Sequence, residues 1–183
     1  MKKSWHLNGE SESAGNEQLG FSSSTLDGGK SAGVHLVQLR CGQMRVLVLP
    51  TRGMSILEVQ FADGIGNYGW NSPISNPVHP MWVPISEPSG LGWLDGFNEM
   101  FVRCGLESNG APQHDEKGRL EYPLHGRIAN LPAMSCWVEL DEEAGKIELF
   151  ATIEETRFHI RKTRLTTKLS LKLDTPNELA ISD

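Results

Sequence analysis

No apolar run in this sequence approaches the length of a membrane-spanning helix, and Lys2 and Lys3 are not followed by the apolar stretch of a secretory leader. The expectation is a cytoplasmic protein. Cysteine is scarce: Cys41, Cys104 and Cys136 are an odd number without C-x-x-C spacing, which implies neither a disulfide framework nor a zinc knuckle. The thiols are expected to be reduced and partly buried. Basic residues are scattered apart from the short run Arg157–Arg164, and the formal net charge is -6, so there is no footprint for nucleic acid and no polybasic patch for a membrane surface. No segment carries a helical stripe, and no repeat is visible. A G-x-S-x-G elbow is missing and Cys104 has no recognisable partner, which leaves nucleophilic catalysis without a candidate. His79, His114, His125, Asp115 and Glu121 match no compact ligand spacing, so neither a metal nor another cofactor is expected.

What is present is alternation. A chain of 183 residues can build one domain with a real core. Residues 1–32, rich in Ser, Gly, Glu and Asn with Trp5, Leu19, Phe21 and Leu26 as isolated apolar points, predict a loosely packed polar arm. The main domain is expected over 33–183. From Gly33 to Phe61 the period is two: Val37 and Leu39, then Val46 and Val48, then Met54 and Ile56 against Leu57, Val59 and Phe61, which predicts three antiparallel strands. Cys41–Gly42–Gln43 supplies a hairpin turn, and Pro50–Thr51–Arg52–Gly53 a break. Strands resume at Trp137–Leu140 and Ile147–Ile153. The cleanest alternation runs from Leu165 to Leu173, with one face dry and the other wet. The class is all-β, an antiparallel β-sandwich. After Asp174–Asn177 another alternation starts and stops at Asp183, and the expectation is the N-terminal part of a longer sheet protein.

Between Ala62 and Pro112 the periodicity is lost, yet six of the ten prolines and three of the five tryptophans fall there, too much aromatic surface for a spacer. The stretch Gly92–Arg127 then gathers Trp93, Asp95, Asn98, Glu99, Arg103, Glu107, Asn109, His125 and Arg127 between glycines. Few cores would tolerate that polarity, whereas a sugar site needs aromatic faces for ring C–H surface and carboxylates, amides and guanidinium groups for hydroxyls. The predicted substrate-binding residues are His125, Arg127, Arg103, Trp93, Asp95, Asn98 and Glu99. In Leu124–His125–Gly126–Arg127 an extended backbone would put His125 and Arg127 on one face as a hydroxyl clamp. The alternative is that both are satisfied by neighbouring carboxylates. Asp95, Glu99 and Glu107 are the acid/base candidates, Glu99 because Phe97 and Phe101 flank it, against the alternative that all three cap turns or pair with Arg103. Trp70, Trp82 and Trp93 could stack on a sugar or plug the end of the core.

The runs Leu49–Ile56, Tyr68–Pro73, Gly92–Phe97, Arg103–Leu106 and Leu124–Asn130 resemble the aldose 1-epimerase-like proteins grouped as DUF4432, in the galactose mutarotase-like superfamily, over Gly33 to Asp183. The resemblance implies a β-supersandwich with its sugar site on the concave face of the larger sheet. It implies a monosaccharide or sugar phosphate as ligand. In such mutarotases a base takes the proton of the anomeric hydroxyl while a histidine acid protonates the ring oxygen, and the opened aldehyde turns before it recloses. By similarity His125 matches the upstream histidine that holds the sugar, and Arg103 or Arg127 the arginine. The acid and base are expected beyond Asp183, so the catalytic residues are unknown and this fragment alone is expected to be inactive. His159 is not assigned as the acid. The alternative function is a non-catalytic carbohydrate-binding or sensing module. Were the chain complete at Asp183, the open sheet edge would call for a homodimer.

Overall fold

The computed structural model describes residues 2–61, 67–70 and 72–183; Ala62, and Asn71 of the run Tyr68–Pro73, lie outside the described residues. In chain order the strands are β1 (Lys2–His6), β2 (Glu12–Gly15), β3 (Leu19–Thr25), β4 (His35–Cys41), β5 (Met44–Leu49), β6 (Ser55–Phe61) and β7 (Asn67–Tyr68). They continue with β8 (Gln113–His114), β9 (Leu120–Tyr122), β10 (Ser135–Asp141), β11 (Lys146–Arg157), β12 (Arg161–Lys172) and β13 (Ala180–Ser182). One sheet has the order β1-β10-β11-β12-β13 and the second β2-β3-β4-β5-β6-β7, with every pairing antiparallel. β8 and β9 form a small ribbon apart. The chain is all-β.

Period-two patterning sets which face is dry. Val37, Leu39, Val46, Val48 and Ile56 from one sheet share a core with Val138, Ile147, Leu149, Ala151, Ile153, Leu169 and Leu171 from the other. Each such valine, leucine or isoleucine, fully buried, stabilises the fold by ~1.5–3 kcal/mol. On the outer face of β11 and β12 the alternate residues are polar for the most part, and Glu148, itself buried, pairs with Lys146 at 2.8 Å and Lys168 at 3.6 Å. The pairing of Cys41 with Met44 leaves a two-residue turn, Gly42–Gln43, within the predicted Cys41–Gly42–Gln43.

The N-terminal segment differs from the expected loose arm. β1 pairs along its whole length with β10, and β3 with β4, so residues 2–25 add strands to both sheets. Leu19 and Phe21 are buried, and Trp5 meets Phe21 edge-on at 5.4 Å across the two sheets. Serine-rich composition hid this, because a strand's ladder is made by the backbone and a few alternate apolar anchors suffice to fix its face.

The irregular middle is as expected. Between 69 and 112 the described residues form 3₁₀ turns at Pro80–Trp82 and Gly92–Gly96, with Phe101 and Gly105 making isolated bridges to Ile56 and Gly126. Met100 and Phe101 bond to the Leu57 and Ile56 backbone, which lays this segment against β6.

Candidate functional site

The loops are fastened from below by an arginine that the sequence analysis did not single out. Pro50–Arg52 form one 3₁₀ turn, closed by Gly53 at φ 61°, where a Cβ would overlap the carbonyl of Ile128. That turn drives Arg52 into the interior, where it is 0% exposed. Its Nε donates to Glu99 Oε1 at 2.8 Å, Nη2 to the Gly96 carbonyl at 2.8 Å and Nη1 to Asn130 Oδ1. Glu99, equally buried, also accepts from the Asn98 amide at 3.0 Å. A charge pair removed from water holds only when its remaining donors and acceptors are met, and here the Gly96–Asn98 stretch and Asn130 meet them. Glu99 is therefore committed to Arg52 and does not pair with Arg103.

Aromatic rings cover this pair. Trp70, about half exposed, donates its indole N–H to the Glu99 carbonyl at 2.9 Å, and its ring lies 4.9 Å from Phe97. Phe97 stacks on Trp93 at 4.7 Å, and Trp93 meets the His125 ring edge-on at 4.9 Å. Trp93 is buried, so its face serves the protein's own packing; Trp82 is exposed. Trp93 Nε1, Asn98 Oδ1 and His125 Nδ1 are buried with no hydrogen-bond partner among the described residues. Asp95 stands apart, exposed on the 3₁₀ turn.

The expected extended clamp at His125 and Arg127 does not form. His125 has φ 56° and Gly126 φ 76°, so two successive left-handed residues turn the chain instead of alternating along it. The tight crossing explains why: Gly105 N–H donates to the His125 carbonyl at 2.9 Å, and a Cβ on Gly126 would overlap the carbonyls of Ser108 and Gly105. The turn separates the two side chains. His125 leans on Trp93, while Arg127 faces a cleft and makes one long contact, 3.4 Å to Ser86 Oγ.

Arg103 lies elsewhere, buried between the sheets. It forks onto Asp183 at 2.9 and 2.8 Å, and also donates to Thr167 Oγ1 at 2.8 Å and the Met54 carbonyl at 2.5 Å. Burial pushes the Asp183 carboxyl up, but the Arg103 guanidinium and the Thr167 hydroxyl outweigh it and hold the group below the ordinary carboxylate range.

The cleft that Arg127 enters has a volume of about 710 Å³ and is walled by Glu107, Glu155, Arg157 and Leu131, with the β8–β9 ribbon opposite. Glu155 is its most defined group. Its Oε2 accepts from the Leu106 and Glu107 amides at 3.1 and 3.2 Å, whereas Oε1 is buried with no partner among the described residues. Sequence reasoning missed it, although a signal existed: Ile147, Leu149, Ala151 and Ile153 set an inward register on β11, and Glu155 continues it with a carboxylate. Of the predicted binding residues, then, the structure gathers Trp93, Asn98, Glu99 and His125 around the Arg52 anchor, puts Arg127 in the cleft, and leaves Asp95 and Arg103 outside both.

Residues 31–183 match the family described as a domain of unknown function, DUF4432. The chain belongs to this family. None of the curated proteins matches it. Among solved structures, the DUF4432 chain is similar to a crystal structure from Klebsiella pneumoniae subsp. pneumoniae MGH 78578, provisionally named an aldose 1-epimerase, with a TM-score of 0.86 and 28% identity. That alignment covers 99% of this chain and 50% of the other, so the chain spans half the length of the structure it matches. The fold is thus an aldose-epimerase-like β-sandwich, and the cleft, His125 and the Arg52 anchor all fall in the part that the family shares. No helix among the described residues is long and apolar enough to cross a membrane.

Proposed function

We propose that this chain binds a monosaccharide or sugar phosphate in the cleft that Arg127 enters, as one part of an aldose 1-epimerase-like protein. The observation that carries the reading is the pair of polar groups at that cleft, Arg127 with one long contact and Glu155 Oε1 with none among the described residues. A polyol offers donors and acceptors on one small body, which suits a guanidinium and a carboxylate acting together. Support also comes from the likeness to a structure named for aldose epimerisation. Anomer interconversion moves one proton off the anomeric hydroxyl and another onto the ring oxygen. In this chain Arg127 and Glu155 would hold polar groups of the sugar, and His125, two residues from Arg127 and braced by Trp93, would contribute from the adjoining turn; the acid/base pair is assigned to the rest of the protein, and the setting to the cytoplasm.

One observation favours a binding module without turnover as the second reading. Glu99, the carboxylate that sequence patterning favours for proton transfer, is fully buried against Arg52. Both readings share one test, saturation-transfer NMR of free aldoses with the protein as its gene encodes it. Transfer to sugar protons is expected, and His125→Ala should weaken binding by ~1–3 kcal/mol. Anomer exchange faster than in buffer separates enzyme from binder. The absence of transfer from every aldose tried would contradict both.

A further inference from the structure

The charges around the cleft are unevenly paired. Elsewhere in and around the site each arginine has a carboxylate: Arg52 with Glu99 at 2.8 Å, Arg103 with Asp183 at 2.8 Å, Arg119 with Asp115 at 2.7 Å and Arg164 with Glu154 at 3.0 Å. Arg127 and Arg157 both line the cleft and neither has a carboxylate within ion-pair distance among the described residues. Arg157 also stands directly across the β11–β12 hairpin from Arg161, its register partner. Like charges opposite each other on a ladder repel, and Arg161 is only loosely relieved by Glu107 at 3.9 Å. Carboxylates line the cleft too, but none of them pairs with Arg127 or Arg157 among the described residues: Asp115 is taken by Arg119, Glu107 lies nearer Arg161, Glu155 points Oε2 at two backbone amides, and Glu121 is exposed on the opposite wall. Glu155 and Arg157 are two residues apart on β11 and so share a face.

We propose that the ligand of this cleft is an aldose that carries an anionic group, a phosphate or a carboxylate, with Arg127 and Arg157 holding the anion and Glu155 Oε1 receiving a hydroxyl. The inference rests on the sugar reading above and narrows it. Two guanidinium forks match the geometry of phosphate or carboxylate oxygens, which a neutral hexose lacks.

The test is calorimetric titration of the protein as its gene encodes it, at low salt, with neutral hexoses, their 6-phosphates, the corresponding hexuronates and inorganic phosphate alone. A 6-phosphate or hexuronate should bind at least about tenfold more tightly than its neutral parent, and which of the two does so identifies the anion. Arg127→Gln and Arg157→Gln should each lose most of that gain. Arg45→Gln, an exposed arginine on β5 remote from the cleft, should change nothing. Equal affinity for neutral and anionic sugars would overturn the inference and leave the sugar reading standing. Binding of inorganic phosphate as tight as that of the sugar phosphate would overturn it too, since the ring would then contribute nothing. No binding by any sugar would remove both.

Discussion

Arg52 and Glu99 show how much of a polar site can be framework. Replacing Glu99 by Gln leaves a buried guanidinium without its counter-charge, which should cost ~3–5 kcal/mol of stability, read as a fall in the urea midpoint. Removing both partners together, as Arg52→Met with Glu99→Leu, should cost less than the single change. His125 carries a different tension. Its φ of 56° is one that L side chains adopt reluctantly, so His125→Gly should be more stable than His125→Ala by ~1–2 kcal/mol, measured by thermal melting, while both weaken sugar binding alike. At this scale the sequence was partly legible. Residue type and crowding identified His125 and Arg127, but the period-two argument for their shared face assumed an extended backbone, and the crossing with Gly105 forbids one. Glu155 escaped notice because its partners, the Leu106 and Glu107 amides, lie about fifty positions away along the chain.

Strands were the most legible elements, because inward and outward positions on β4, β5, β11 and β12 follow directly from alternation. β1 to β3 were not, since their few apolar residues become anchors only once β10 and β4 are beside them. One strand carries a pH response. His35, the first residue of β4, is buried with Nε2 unpartnered among the described residues, and burial pushes its pKa below the ordinary 6.5. The unfolded chain therefore takes up that proton first as pH falls. Stability is fully present above the unfolded value and is lost as pH drops from there toward the folded one. The melting temperature should fall between about pH 7.5 and about pH 5.5, and His35→Gln should flatten that slope. The carboxylates held low, Asp183 and Glu148, act in a separate window: their stabilisation is lost only as pH falls below the ordinary 3.8 and 4.5, so the histidine step is read without them.

On the scale of the whole molecule, two antiparallel sheets form the frame, Arg52 ties the irregular stretch 72–131 to it, and the proposed cleft takes Arg127 from that stretch and Glu155 and Arg157 from β11. Composition alone indicated that division, since prolines and tryptophans crowd where alternation stops. It could not indicate which polar groups stay free for a ligand, because that depends on ion pairs between residues far apart: Arg52 with Glu99, Arg103 with Asp183. The family match and the likeness to an aldose-epimerase-like structure agree with the sandwich and leave the ligand to be measured. The most direct measurement is a crystal structure of the protein, as its gene encodes it, soaked with the tightest-binding aldose. The account predicts sugar density in the cleft between Arg127, Arg157 and Leu131, with a hydroxyl within hydrogen-bond reach of Glu155. Density elsewhere, for instance in the cavity of about 740 Å³ beside His35 and Met134, with the cleft holding only solvent, would contradict it.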